Sequence, residues 1–104
     1  MKEITVIELK KLKDTEVDFQ LIDVREGHEV EICVMGGEHI PMGDVLDNLD
    51  KISKTKQVIV HCRSGARSGA ICQALEKEGY TNVYNLKGGI IAWATDVDTT
   101  LTKY

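Results

Sequence analysis

Proline is almost absent from this chain, with Pro41 the only one. No Cys-x-x-Cys pair occurs, and the three cysteines make an odd count, which sets aside a disulfide framework and a zinc knuckle and fits reduced thiols. No basic stripe balances the formal charge of −4, so a general nucleic-acid binder is excluded and any attraction for anions must be local. No apolar run approaches the roughly 18–20 residues needed to cross a bilayer. The opening Met-Lys-Glu-Ile-Thr-Val carries no apolar leader region. Together these absences predict a cytoplasmic protein with no membrane partner. Length (104 residues), 42% apolar and 29% charged residues suit one globular domain with one real core. There is no internal repeat, low-complexity segment or linker.

Strand-like and helix-like segments alternate. Residues 3–6, 19–24, 38–40, 57–61 and 82–86 read as strands, the apolar runs at 19–24 and 57–61 being the clearest. Residues 7–13, 26–33, 45–52, 69–78 and the start at 90–94 read as helices, with Gly79 a C-cap and Gly88-Gly89 a turn. The polar tail from Asp96 onward is expected to fray. Strands separated by helices imply a parallel sheet with helices on its faces. Ligands of open α/β sheets bind beyond the carboxyl ends of the strands.

One such end carries His61-Cys62-Arg63-Ser64-Gly65-Ala66-Arg67-Ser68, between the strand Val58-Ile59-Val60 and a helix. A free thiol has a pKa of about 8.5, and a helix N-terminus with nearby cations lowers it to about 3.5–7.5. Converging peptide N–H groups with Arg63 and Arg67 therefore favour a Cys62 thiolate and an anionic ligand. Gly65 lets the backbone turn inward, and Ser64 and Ser68 are hydrogen-bond donors, Ser68 also a candidate helix cap.

Three stretches resemble single-domain rhodanese-like sulfurtransferases. They are the loop Cys62–Ser68, the strand end Leu21-Ile22-Asp23-Val24-Arg25-Glu26, and Asn85-Leu86-Lys87-Gly88-Gly89-Ile90-Ile91-Ala92-Trp93. Their order and spacing match across roughly residues 3 to 95. The resemblance implies a rhodanese-like α/β fold, a five-stranded parallel sheet with helices on both sides. It also implies a persulfide on Cys62, loaded from a donor such as thiosulfate and unloaded to a thiol or cyanide. It departs at Met35–Gly43, where the Ile40-Pro41 pair of the family's Gly-His-Ile-Pro-Gly-Ala survives but the preceding pattern differs.

Thiolate attack on sulfur needs no general base, no metal and no cofactor. The expected substrate-binding groups are Arg63, Ser64, Gly65, Ala66, Arg67 and Ser68. Arg67 can also pair with a strand-end carboxylate such as Asp23 or Glu26. Asp23 and Arg25 are expected to brace the loops. His61 points to the opposite side of its strand from Cys62 and is read as packing. His28 and His39 lack a ligand-like pairing. Cys33 and Cys72 are read as core filling, with a resolving thiol as the sharper alternative. The rival readings are a protein-to-protein persulfide carrier in a sulfur relay, and a cysteine phosphatase or arsenate reductase. Against the phosphatase, Cys62 and Arg67 enclose four residues where that loop encloses five, a smaller ring suited to one sulfur atom. No aspartate is marked out as its leaving-group acid.

Overall fold

A computed structural model describes residues 1–104. Five strands form one sheet: β1 (Glu3–Ile4), β2 (Phe19–Asp23), β3 (Glu38–His39), β4 (Gln57–His61) and β5 (Val83–Leu86). Their order is β1-β5-β4-β2-β3 and every pairing is parallel. The helices are α1 (Val6–Asp14), α2 (Gly27–Val30), α3 (Ala66–Lys77) and α4 (Gly89–Asp96).

Alternation along the strands divides the core in two. Ile22, Val58 and Val60 pack with Ile71, Cys72 and Leu75 of α3. Leu21 and Ile59 face the other way, against Val6 and Leu9 of α1 and Ile90 and Trp93 of α4. Helices thus cover both faces of the sheet, as expected. Central β4 is flanked by β2 and β5, and its last residues are buried on both sides.

Local chemistry sets the boundaries. Thr5 and Glu8 form a reciprocal capping box, Glu8 N–H to Thr5 Oγ1 at 3.2 Å and Thr5 N–H to Glu8 Oε1 at 3.0 Å, which starts α1 and ends β1 early. Gly79 (φ +95°) closes α3 in a Schellman motif: its N–H reaches Glu76 O and that of Tyr80 reaches Leu75 O, both at 3.0 Å. Tyr80 and Leu75 pack in the same cluster, supplying the apolar contact of that motif.

Four expectations need correction. Residues 45–52 form no α-helix: they make a 3-10 turn over Leu46–Lys51, broken at Asn48 (φ −130°, ψ 35°). The helix expected over 26–33 is only the single turn α2. Helix α3 starts three residues before Gly69, so Ser68 lies inside its first turn and does not cap it; Gly65 is the N-cap. The segment after Asp96 is not frayed. Val97 N–H bonds Trp93 O at 2.9 Å, and Val97, Leu101 and Tyr104 pack against the α1–α4 side of the core. No helix is long and apolar enough to cross a membrane.

Candidate active site

Cys62 directly follows β4 and faces α3. Gly65 adopts φ +110°, a left-handed conformation that a Cβ would strain, and this turns the chain back over the sulfur. Its N–H lies 3.1 Å from Cys62 Sγ, and the Ser68 hydroxyl lies 3.3 Å from it. Asn85, buried on β5, accepts from Ser68 through Oδ1 and donates from Nδ2 to Gly65 O at 3.1 Å. One side chain therefore holds the hydroxyl that addresses the sulfur and the carbonyl side of the residue whose N–H does.

The outward side of the loop is held by the start of α4. Ile90 N–H bonds Cys62 O at 3.0 Å and Ile91 N–H bonds Arg63 O at 3.1 Å. Gly89 makes this approach possible, since a Cβ there would stand 2.4 Å from Arg63 O and 2.7 Å from Cys62 O. With these carbonyls engaged on α4, loop N–H groups are left to face the sulfur.

Burial alone would raise the thiol's pKa. The Ser68 hydroxyl, together with the N–H groups of Ser68, Gly65 and Ser64, outweighs it and holds Cys62 below its ordinary value. Cys62 is nevertheless 1% exposed and belongs to the apolar cluster of α3. The sequence placed it among polar neighbours; the structure gives it apolar walls and a polar cap.

The arginines are engaged elsewhere. Arg67 binds Glu29 of α2 through two bonds, Nη1 to Oε1 at 2.6 Å and Nη2 to Oε2 at 2.9 Å. Neither Asp23 nor Glu26 is its partner. That pairing, with further hydrogen bonds from Tyr104 and the Glu26 N–H, outweighs desolvation and holds the Glu29 carboxyl far below the usual range. Arg63 extends to the Tyr104 ring, 4.9 Å from its centroid. Ala66 heads α3.

Arg25 is fully buried and grips Asp23 with Nε at 3.0 Å and Nη2 at 2.8 Å. It also donates to Cys33 O at 2.7 Å, Glu29 O at 3.3 Å and the Tyr104 hydroxyl at 3.1 Å. Asp23 and Arg25 thus tie β2 to the segment that presents Glu29. Buried His61 has Nδ1 3.2 Å from Cys62 O and Nε2 3.8 Å from Asp23 Oδ2. Desolvation lowers its pKa despite Asp23, so it is neutral packing.

Cys72 is a core residue whose thiol burial pushes up to about 12. Cys33 packs at the margin of the other cluster. No group of three or more His, Cys, Asp or Glu is placed to hold a metal. The largest surface groove, lined in part by Lys13, Gln20, Glu38, Lys51 and Lys56, does not include Cys62.

Sequence reasoning missed Glu29, Asn85 and Tyr104. Asn85 left a trace as a polar residue in the strand Val-Tyr-Asn-Leu, and Tyr104 as a lone aromatic in a polar tail. Glu29 left none, being one acid among several.

A parallel α/β sheet with a cysteine cradled by amides at a strand end is an arrangement built to hold a sulfur anion. The chain belongs to the rhodanese-like family, whose domain model matches residues 5–96. It is 38% identical over 94 residues to the putative sulfurtransferase YtwF of Bacillus subtilis, covering 89% of this chain and 90% of that protein. It is 41% identical over 86 residues to a sulfurtransferase of Allochromatium vinosum, covering 82% and 79%. The crystal structure of a rhodanese-like domain protein from Staphylococcus aureus superposes with a TM-score of 0.84 at 31% identity, covering 100% and 99%. The putative sulfur carrier YrkF of Bacillus subtilis is 29% identical over 88% of this chain and half of its own length.

Proposed function

We propose that Cys62 accepts the outer sulfur of a small anionic donor such as thiosulfate and passes it to a thiol or to cyanide. The observation that carries this reading is the set of donors around one sulfur: Gly65 N–H at 3.1 Å and Ser68 Oγ at 3.3 Å, with the thiol's pKa lowered by them despite burial. In the first step the thiolate attacks the sulfane sulfur. The donor's S–S bond breaks, sulfite leaves with the bonding pair, and Cys62 carries a persulfide. In the second step cyanide attacks the terminal sulfur, thiocyanate leaves, and the thiolate returns. Electrons balance over the two displacements, so no external oxidant is needed.

The negative charge moves from one sulfur atom to the next, and donors set for a thiolate also suit a persulfide anion. Gly65, Ser68 and the Ser64 N–H stabilise the anion; Arg63, the loop cation with no carboxylate partner, supplies positive charge at the rim, while Arg67 is neutralised by Glu29. Asp23 and Arg25 support the loop from beneath.

Cys62→Ser should abolish thiosulfate-to-cyanide transfer, lowering it by at least about a thousandfold, in a protein that melts like the parent. Thiocyanate production unchanged in that variant rejects the mechanism. The parent protein incubated with thiosulfate should gain the mass of one sulfur atom at Cys62. Loading only from a persulfidated protein would instead favour a sulfur-relay carrier, a reading supported by the sulfur-carrier name of one relative. Phosphate release from an aryl phosphate, lost in Cys62→Ser, would favour the phosphatase reading.

A further inference from the structure

Both cations of the sulfur loop are occupied by groups from outside it. Arg67 is held by Glu29 at two points. Arg63, the other, rests on the ring of Tyr104. Its guanidinium makes no ion pair and no side-chain hydrogen bond, so this ring is its one polar attachment.

Tyr104 is itself firmly placed. Its hydroxyl donates to Glu29 Oε2 at 2.7 Å and accepts from Arg25 Nη1 at 3.1 Å. Its ring packs with Val97 and Leu101 against the core. The group that holds Arg63 is therefore anchored to the same Glu29 that holds Arg67, at the rim of the cup containing Cys62.

A guanidinium on an aromatic face is attracted by the ring quadrupole, and the attraction is modest where water reaches it. A donor carrying a sulfonate-like oxyanion offers the same guanidinium a stronger, charge-assisted partner. The two uses exclude each other, because one planar group cannot lie on the ring and turn to an anion in the cup. We propose that Tyr104 is a specificity-determining residue that competes with an anionic sulfur donor for Arg63. This rests on the small anionic donor proposed above and deepens it: the ring sets how strongly negative charge on the donor is favoured over a neutral donor of like reactivity.

The test uses two reagents that differ in charge and act by one chemistry. The Cys62 thiolate attacks the sulfenyl sulfur of methyl methanethiosulfonate, forming a mixed disulfide and expelling methanesulfinate. The 2-sulfonatoethyl analogue does the same and carries a negative charge. Rates at Cys62 are followed on the intact full chain by mass, with peptide mapping to separate Cys33. The readout is the rate for the anionic reagent divided by that for the neutral one.

At low salt Tyr104→Ala should raise this ratio about threefold, the fold-change matching an exposed cation–π contact. Tyr104→Leu, which keeps the apolar packing and lacks the quadrupole, should do the same and covers the case of an unfolded alanine variant. Tyr104→Phe keeps the ring and should leave the ratio unchanged. Adding Arg63→Gln to Tyr104→Ala should erase the gain. A ratio unmoved by Tyr104→Ala and Tyr104→Leu overturns the proposal, as does a gain that survives Arg63→Gln. Equal acceleration of both reagents also overturns it, since that is the mark of a steric cover. If the ratio shifts as expected while thiosulfate fails to load Cys62, the donor reading fails and the competition for Arg63 stands.

Discussion

Ser68→Ala isolates the part of the sulfur cup that a side chain supplies. The Ser68 hydroxyl is fully buried and has two acceptors in reach, Cys62 Sγ at 3.3 Å and Asn85 Oδ1. It has one proton. While Cys62 is a thiol, that proton belongs on Asn85; when Cys62 ionises, the thiolate competes for it. What the hydroxyl adds to ionisation is the difference between these bonds. A bond to a charged group is worth about 1.5–3 kcal/mol and a neutral one about 0.5–1.5 kcal/mol, leaving about 1–1.5 kcal/mol. At about 1.36 kcal/mol per unit, the Cys62 pKa should rise by about one unit in Ser68→Ala. The backbone N–H groups of Ser68 and Gly65 are untouched, so the rise stops there. The assay is alkylation of Cys62 by iodoacetamide across pH, followed by mass. Below both midpoints the variant should react about tenfold more slowly, and above both at the parent rate. A midpoint within about 0.3 units of the parent, or one displaced downward, refutes the reasoning. Losing the donor to Asn85 should also cost about 1–2 kcal/mol of stability at any pH. A further loss should appear as pH rises through the folded pKa and reach its full size above the unfolded value of about 8.5, because a thiol with lowered folded pKa stabilises the fold there and this contribution fades as pH falls through the folded pKa.

Two other substitutions probe the supports. Glu29→Gln removes a charge that Arg67 and Tyr104 both bind; discounted for the third of Arg67 left in solvent, it should destabilise by about 1–2 kcal/mol near neutrality. Because the folded carboxyl titrates far below the unfolded value of about 4.3, this stabilisation is present above that value and fades as pH falls below it. Melting temperatures taken from pH 7 downward should therefore fall less steeply in the variant, and parallel acid limbs would contradict this. Gly89→Ala places a methyl 2.4 Å from Arg63 O in a backbone at φ +60°, so the loop must shift. Sulfur transfer should drop at least tenfold, with a stability loss of about 1–3 kcal/mol read from denaturant unfolding; parent-like kinetics would show that the loop tolerates the shift.

The sheet was legible because Val58-Ile59-Val60 is an unbroken apolar run and residues 19–24 are nearly one, the pattern of strands covered on both faces. The Cys62 loop was legible because polar and glycine residues follow such a run directly. Residues 45–52 were not, since apolar positions three and four apart suit a broken 3-10 turn as well as an α-helix, and only the backbone at Asn48 separates the two. The start of α3 was misplaced by trusting a side-chain preference. Serine is a favoured cap, but here a glycine caps the helix and the serine is turned to the sulfur. The tail after Asp96 was misread from composition, because Leu101 and Tyr104 anchor it with few apolar atoms. Glu29 and Asn85 act through partners 38 and 17 residues away, pairings that spacing cannot express.

Two arginines beside a cysteine suggest that positive charge makes the thiolate. In the fold, Arg67 is paired with Glu29 and Arg25 with Asp23, so each brings its own counter-charge. Arg63 faces Tyr104. The groups that touch the sulfur are dipoles: peptide N–H groups from a turn that Gly65 permits, and a hydroxyl that α3 carries inward only because the helix begins at Ala66. Fixed dipoles in a buried site stabilise an anion without reorganising as it forms. A guanidinium in contact would bind the sulfur anion as an ion pair and hold it back from attack. In the proposed mechanism, cations at the rim and amides at the centre separate capture of a charged donor from activation of the nucleophile, and the Glu29 and Tyr104 contacts are what hold those cations at the rim.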